Sequence, residues 1–230
     1  MTGTCSKSTI LWVSAILVIL IIGSLTVLAY TSSIAAIQNS ARTGLESTVG
    51  VMATQINASD VELLKAGDEG SPRYLAVAKK LRTLRSMDDH ILNAYILIVN
   101  PDRSVTFLVD DLLVDDLYPE DPQGSAKIGG LSTSPDTKEI FGALSRPTST
   151  KEPYTPKYGS FMSAYAPIDD SVDDSNGNTV AVLAIDMAAY DYTDYMGGKG
   201  SLILITGLIS MILAVGAIFW FGRREVQKDE

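Results

Sequence analysis

The sequence predicts an α+β domain in residues 32–199 that is held between two membrane-spanning helices. Two segments near the chain ends, Ile10 to Tyr30 and Ser201 to Phe221, carry no charged residue. Each is close to the ~20 residues that a helix needs to cross a bilayer. The first half of the intervening region has helical spacing, and its second half has short β-rich runs separated by turn residues. We therefore expect a long helix followed by a mostly antiparallel sheet.

The two apolar segments set the predicted domain boundaries. We expect a cytoplasmic N-terminus over 1–8, a first span over 9–31, a second span over 200–222 and a cytoplasmic tail over 223–230. A tail of this length has no room for a kinase, a cyclase or a methyl-accepting domain. Any output is therefore expected from a separate signalling partner or from a module missing from this chain.

Basic residues just outside the two spans place both termini in the cytoplasm, because Lys and Arg near a span are kept on that side. These residues are Lys7, Arg223, Arg224 and Lys228. A cleavable signal peptide fits the first segment poorly, since the apolar core of such a signal has only about 7 to 15 residues. The predicted location is the cell membrane, with two passes and an extracytoplasmic central domain.

A helical stripe continues the first span outward. Its apolar residues follow one another at steps of three and four: Ile34, Ile37, Ala41, Leu45, Val49, Met52 and Ile56. Two interpretations stay open, a stripe that packs on its own domain and the seam of a homodimer. A short helix is expected after Asn57 or Ser59, either of which can cap it, and another from Pro72 to about Met87.

The later elements are β-rich runs punctuated by turns. We expect a hairpin of Ala94 to Val99 and Val105 to Val109, joined by a turn at Asn100 to Arg103. The elements after it are a short helix from Pro135 to Leu144, strands from Gly159 to Ile168 and from Thr179 to Asp186, and a linker from Met187 to Tyr195. At least four strands then form one sheet.

The charge of the chain argues against two kinds of partner. Residues 32–199 hold 14 of the 18 basic and 24 of the 27 acidic residues, a net charge of about −10. Nucleic acid and anionic lipid both repel such a region, so neither is expected as its main partner. Cys5, the one cysteine, lies on the predicted cytoplasmic side, and the outer domain must fold without disulfides.

Two charged clusters are interpreted as solvated surface. The basic cluster of the third helix consists of Arg73, Lys79, Lys80, Arg82 and Arg85. The acidic cluster after the hairpin consists of Asp110, Asp111, Asp115, Asp116, Glu120 and Asp121. Neither this cluster nor the turn around Gly177 has the residue spacing of a calcium loop. We expect a solvated basic face rather than an anion site, and a solvated acidic loop rather than a divalent-metal site.

The residue inventory argues against catalysis. The outer domain contains one histidine, His90, whose neighbours form no nucleophile motif, and it has no cysteine and no Gly-rich phosphate loop. A Ser-His-Asp site or a histidine-ligated metal hydrolase therefore lacks its parts. We expect no enzyme activity and no cofactor.

Three runs in the second half of the domain form a pattern: Lys151-Glu152-Pro153-Tyr154, Tyr158 to Ile168, and Asn176-Gly177 with Val180 to Asp186. A Gly is followed by Ser-Ala-Tyr-Ala-Pro, a turn and an apolar strand that ends in Asp. The pattern resembles the extracytoplasmic single Cache domains, PAS-like sensor folds between two membrane helices in prokaryotic chemoreceptors, sensor kinases and cyclases. The turn carries extra residues around Ser171 to Asp174, and the usual cytoplasmic output domain is missing.

The Cache resemblance implies that a small molecule, such as a carboxylate or an amino acid, binds on the membrane-distal side of the sheet. Matched onto this sequence, the ligand-binding residues are Tyr95, Leu97, Phe107, Tyr154, Lys157, Phe161, Ser163, Tyr165 and Asp186. Phe107 and Phe161 also suit a core. Asp186 suits either a ligand amine or the cap of the helix that follows.

Two functions from different classes fit this sequence. The first is a membrane-anchored sensor that binds a small ligand and passes a conformational signal across the membrane. The second is a structural or adaptor membrane subunit with a degenerate Cache fold that binds no small ligand. Small residues on the second span, such as Gly207 and Ser210, are compatible with helix association in lipid, as this second function requires.

Overall fold

The computed structural model describes residues 7–111, 127–132, 137–155, 160–168 and 181–226. Its elements are α1 (Lys7–Ala53), α2 (Ala58–Glu62), α3 (Pro72–Arg85), β1 (Ile91–Val99), β2 (Val105–Asp110), α4 (Thr137–Gly142), β3 (Thr148–Ser149), β4 (Phe161–Pro167), β5 (Ala181–Ala188) and α5 (Ala189–Val226). The chain divides into a membrane unit, Met1–Asn39 with Thr193–Glu230, and a globular unit, Ser40–Tyr192. The predicted α+β class is confirmed.

The membrane unit is built from two helices of membrane-spanning length and composition. Candidate spans lie within Thr9–Ala53 and Gly200–Arg224, and only 6% of the apolar window of each is buried. A core helix of a soluble domain would bury most of that surface, so this exposure favours a lipid environment.

Glycines let the two membrane helices approach closely. A Cβ placed on Gly200 would lie 2.8 Å from the ring of Tyr30, and one on Gly207 would overlap Thr26. Close approach over small residues is how helices associate in lipid. Nearer the chain ends the rings of Trp12 and Phe219 meet edge to face with centroids 5.1 Å apart.

The outer part of α1 packs on its own domain. Leu45, Val49 and Met52 are buried in the globular unit, as the first interpretation of the stripe expected. Helix α2 is capped by Asn57, whose side chain accepts a hydrogen bond from the Ser59 backbone at 3.1 Å. A homodimer remains a prediction.

Five antiparallel strands form one sheet in the order β2-β1-β5-β4-β3. The hairpin of β1 and β2 is confirmed, with a register shift between Ile96 and Leu97. The edge strand β3 was not predicted, because its two residues are too short to form a pattern. The predicted linker from Met187 to Tyr195 is wrong, since β5 runs to Ala188 and α5 begins at the next residue.

Each face of the sheet packs against different elements. Helix α3 packs on β1 and β2, and its Tyr74, Val77 and Leu81 are buried. The opposite face carries an apolar cluster with Ile140 and Ala143 of the α4 region. Along each strand alternate side chains therefore belong to alternate layers of the core.

A buried ion pair joins α3 to the sheet. The Arg85 Nε donates to the Asp111 Oδ2 at 2.5 Å, and the Asp111 Oδ1 accepts from the Ala94 backbone N–H at 3.3 Å. The Arg82 guanidinium donates to the Asp111 carbonyl at 3.0 Å. The prediction of solvated surface is wrong for Arg82, Arg85, Asp110 and Asp111. Both aspartates are buried, Arg85 donates to the Asp111 carboxylate, and Arg82 donates to the Asp111 backbone carbonyl. The other acidic cluster residues, 115, 116, 120 and 121, lie outside the described residues.

Burial and the ion pair oppose each other at Asp111. Burial raises the pKa of this carboxyl above its ordinary value, and the attraction of Arg85 lowers it by less. The folded state therefore binds the proton of Asp111 more tightly than the unfolded chain does. Arg85 makes an ionised carboxylate tolerable there, which is a structural role.

We predict that Arg85→Ala lowers the free energy of unfolding by about 3 kcal/mol at pH 7, because it leaves a buried carboxylate without its cation. Thermal or urea unfolding of the full chain measures this loss. The loss should shrink as the pH falls and Asp111 becomes protonated. Lys80→Ala, which removes an exposed cation from the same helix, is the control and should change stability by less than about 0.5 kcal/mol. An equal effect of the two substitutions would contradict the role given to Arg85.

Candidate functional site

Most of the residues implied by the Cache resemblance lie on one face of the sheet. Strand register pairs Asn93 of β1 and Ser163 of β4 with Asp186 of β5. Alternation along the strands then places Tyr95 and Tyr165, two residues further on, beside Ala184 on the same face. The face shared by β1, β4 and β5 is therefore the candidate site.

Asp186 is the centre of a buried hydrogen-bond cluster. Its Oδ1 accepts from the Ser163 hydroxyl and, at 3.2 Å, from the Tyr95 hydroxyl. Its Oδ2 accepts from the Asn93 amide at 3.3 Å. Ser163 is fully buried and Asp186 is 6% exposed, so neutral donors take the place of solvent around this carboxylate.

A second layer of polar groups holds Ser163. The Tyr154 and Ser163 hydroxyl oxygens are 2.8 Å apart, and because Ser163 gives its proton to Asp186, Tyr154 is the donor of this bond. The Ser163 backbone N–H donates to the Thr150 Oγ1 at 3.1 Å, and the Thr150 N–H donates to the Ser163 carbonyl at 2.9 Å. The backbone N–H and the backbone carbonyl of Ser163 are thus both bonded to Thr150, the residue that follows β3.

The cluster lacks a cation among the described residues. Burial raises the pKa of the Asp186 carboxyl, and the hydrogen bonds from Ser163, Asn93 and Tyr95 lower it by less. Burial also raises the pKa of the Tyr95 hydroxyl well above its ordinary value, and the nearby charge of Asp186 adds to that rise. Tyr95 therefore remains a hydrogen-bond donor, and the negative charge of Asp186 is only partly offset.

An apolar cluster continues from the polar one on the same face. The rings of Tyr95 and Phe107 have centroids 5.5 Å apart. Leu97 and Tyr165 are fully buried beside Tyr95 in the cluster that includes Ile140. A ligand in this region would meet a carboxylate at one end and hydrocarbon and aromatic surface at the other.

The structure brings together eight of the nine sequence-derived residues. Tyr95, Ser163 and Asp186 are directly hydrogen-bonded, and Tyr154 joins them through Ser163. Leu97, Phe107 and Tyr165 form the apolar side, and Phe161 packs on Tyr154 with ring centroids 6.4 Å apart. Lys157 lies outside the described residues. These placements leave their role in ligand binding a prediction.

Two findings differ from the sequence interpretation. Asp186 lies within β5 and its carboxylate is bonded to neighbouring strands, so the capping reading is wrong. Asn93 and Thr150 were missed. Asn93 shares the strand alternation of Tyr95, which was a usable signal, whereas Thr150 follows a strand too short to recognise.

The site offers little to a metal ion. In the described part of the chain no three His, Cys, Asp or Glu side chains are grouped so that they could hold one. The donors around Asp186 are hydroxyl and amide groups, which present hydrogens to an acceptor. Such an arrangement can exchange one of its neutral donors for the N–H groups of a ligand.

No protein-family model matches the chain, and no curated protein matches its sequence. Among solved structures, the chain is similar to the ligand-binding domain of the Campylobacter jejuni chemoreceptor Tlp3 in complex with L-norvaline, at 14% identity and a TM-score of 0.35, over 85% of this chain and 64% of that one. It is also similar to the periplasmic domain of RsbU from Chlamydia trachomatis, at 13% identity and a TM-score of 0.36, over 76% of this chain and 56% of that one. The chain thus spans less than two thirds of either structure.

We predict that Asp186→Asn leaves the free energy of unfolding at pH 7 equal to or above that of the wild type. The raised pKa of Asp186 means that its stabilising contribution is present below the ordinary value of 3.8 and is lost as the pH rises through the raised value. An ionised Asp186 therefore costs stability at pH 7, and the difference from the variant should close as the pH falls. Urea unfolding at a series of pH values measures it.

Asp102→Asn is the control of opposite sign. Hydrogen bonds from Ser104 lower the pKa of the exposed Asp102 carboxyl, so its contribution is present at pH 7 and is lost as the pH falls. This substitution should lower stability slightly at pH 7. If Asp186→Asn instead destabilises the protein more than Asp102→Asn does, the carboxylate of Asp186 is a structural requirement of the sheet.

Proposed function

We propose that this protein is a membrane-anchored sensor that binds a small amine-bearing molecule at Asp186 and passes the change to its two membrane helices. The observation that carries the proposal is a buried carboxylate whose contacts among the described residues are neutral donors only, beside a buried apolar and aromatic cluster. Buried, strongly perturbed groups of this kind cluster at functional sites. A cytoplasmic signalling partner would receive the change.

The ligand class follows from the charge of the cluster. A buried carboxylate without a cation costs free energy, and a ligand ammonium group would offset that cost with charge-assisted hydrogen bonds. The apolar part of the ligand would lie against Leu97, Phe107 and Tyr165. An amino acid satisfies both requirements, with Lys157 proposed as the partner of its carboxylate.

Three features support the proposed membrane arrangement. The two candidate spans expose their apolar surface. The Arg224 guanidinium lies 4.8 Å from the centre of the Trp220 ring, and Trp12 contacts Phe219. Tryptophan and arginine together are typical of the cytoplasmic membrane interface. We propose from these features that both termini lie in the cytoplasm and that the globular unit lies outside.

Two routes lead from Asp186 to the membrane helices. The first is covalent, because β5 ends at Ala188 and α5 begins immediately after it. The second is the β3 link, defined as Ser163, Thr150 and Ser149. The Ser149 hydroxyl accepts from the Arg42 Nε at 3.2 Å and donates to the Glu46 Oε1 at 2.7 Å, and both partners belong to α1. A ligand that shifts Ser163 would thereby act on α1.

We predict that primary amines, screened with carboxylates, other metabolites and divalent cations, raise the thermal unfolding temperature of the full chain in nanodiscs. A ligand at about 100 times its Kd should add about 2.7 kcal/mol of stability, because it binds only the folded state. Asp186→Asn should abolish the rise. Tyr74→Phe, which removes another buried tyrosine hydroxyl on α3, should retain it. If the protein is folded and no amine raises its unfolding temperature, the result would favour the structural or adaptor function.

The β3 link is tested without a ligand by hydrogen exchange. We predict that Asp186→Asn changes the amide exchange rates of α1 residues 40–53, because it alters the bond to Ser163. In a Ser149→Ala background the same substitution should leave those rates unchanged. Ser145→Ala, in the preceding exposed loop, is the control background and should preserve the response. A response that survives Ser149→Ala would rule out this route.

A further inference from the structure

A second concave surface lies apart from the Asp186 cluster. The groove, as we define it, runs between the outer part of α1 and the segment from α4 to residue 151, and has a volume of about 670 Å³. Four hydroxyl-bearing residues line it: Thr43, Ser47, Thr148 and Ser149. Six charged residues also line it: Arg42, Glu46, Lys138, Glu139, Arg146 and Lys151. It is a polar site, unlike the apolar face beside Tyr95.

The groove has an excess of positive charge in an acidic domain. Four of its six charged residues are cationic, whereas acidic residues dominate the rest of residues 32–199. One of the two acids is also already engaged within the protein. Glu46 already accepts a hydrogen bond from Ser149 and lies 3.9 Å from the Arg42 guanidinium. The net positive charge of the groove therefore favours the binding of an anion.

Three of the four cations have side chains without a partner among the described residues. The side chains of Lys138, Arg146 and Lys151 make no hydrogen bond or ion pair there. The basic cluster of α3 differs, because the guanidinium groups of Arg82 and Arg85 already donate hydrogen bonds to Asp111. Cations that converge on a concave surface can contact one ligand together, whereas those on a convex helix face cannot.

We infer that the groove binds a small ligand with at least two anionic oxygen groups, either phosphates or carboxylates. One group pairs with Arg146 and Lys151 at the β3 end, and another with Arg42 or Lys138 at the helical side. The hydroxyl groups of Thr43 and Ser47 donate to the same oxygens. This site is separate from Asp186 and stands whether or not an amine binds there.

Occupancy of the groove would also act on the β3 link. Arg42 donates to Ser149 in the structure, and an anion would compete with Ser149 for that guanidinium. A multivalent anion would at the same time bridge α1 to the residues on either side of β3. Two ligands that act on one element change each other's affinity by the same factor. The groove is therefore a regulatory site as well as a binding site.

The test uses pyrophosphate as the probe and the full chain in nanodiscs of zwitterionic lipid at low salt. At ten times its Kd, pyrophosphate should raise the unfolding temperature by about 3 °C. The double variant Arg146→Gln with Lys151→Gln should weaken pyrophosphate binding about tenfold, since each lost exposed ion pair removes a modest share. Lys79→Gln with Lys80→Gln makes the same charge change on α3 and should bind as the wild type does.

A second arm identifies the source of the anion. Nanodiscs with anionic phospholipid replace the zwitterionic ones, without pyrophosphate. Stabilisation by pyrophosphate that depends on Arg146 and Lys151 supports a soluble ligand. Stabilisation by anionic lipid alone, with the same dependence, supports a lipid headgroup in the groove. If neither stabilises the protein, or if both double variants respond alike, the inference is overturned.

Discussion

Burial of the Asp186 carboxyl on β5 costs free energy, and the neighbouring strands are arranged to offset it. Ser163 and Asn93 stand opposite Asp186 in the register, and Tyr95 reaches it from two residues along β1. The register of three strands is thereby tied to one polar group, because a slip by one residue would turn these donors to the other face. The position of β3 follows through Thr150 and Ser163.

Two of the buried carboxylates, those of Asp111 and Asp186, show how a structural site differs from a candidate functional one. Asp111 has the Arg85 guanidinium and joins α3 to β1 and β2. Within the described ranges Asp186 has neutral donors only, although it is buried to a similar degree. Burial raises the pKa of both carboxyls, but among the residues that the structure describes only Asp111 has a cation bonded to it. That difference is the basis of the proposed amine specificity.

A short polar segment, Ser149 with Thr150, connects the interior of the domain to α1. Ser149 is buried between Arg42 and Glu46 of α1, and the next residue, Thr150, is bonded to Ser163. The edge strand β3 therefore serves both the Asp186 cluster and α1. The cationic groove borders the same strand, so both proposed sites are in contact with β3 or the residue after it.

The sequence by itself determined the features that depend on local pattern: the two apolar spans, the stripe through Leu45 and Val49, the capped helices, and the hairpin of β1 and β2. Tertiary structure alone decided the partners of Asp186 and Asp111, because residues such as Asn93 and Arg85 are brought to them by register and packing. It also decided where α5 begins and that β3 exists. A two-residue strand has no period to detect, and a charged side chain shows its burial only once the fold has placed a partner beside it.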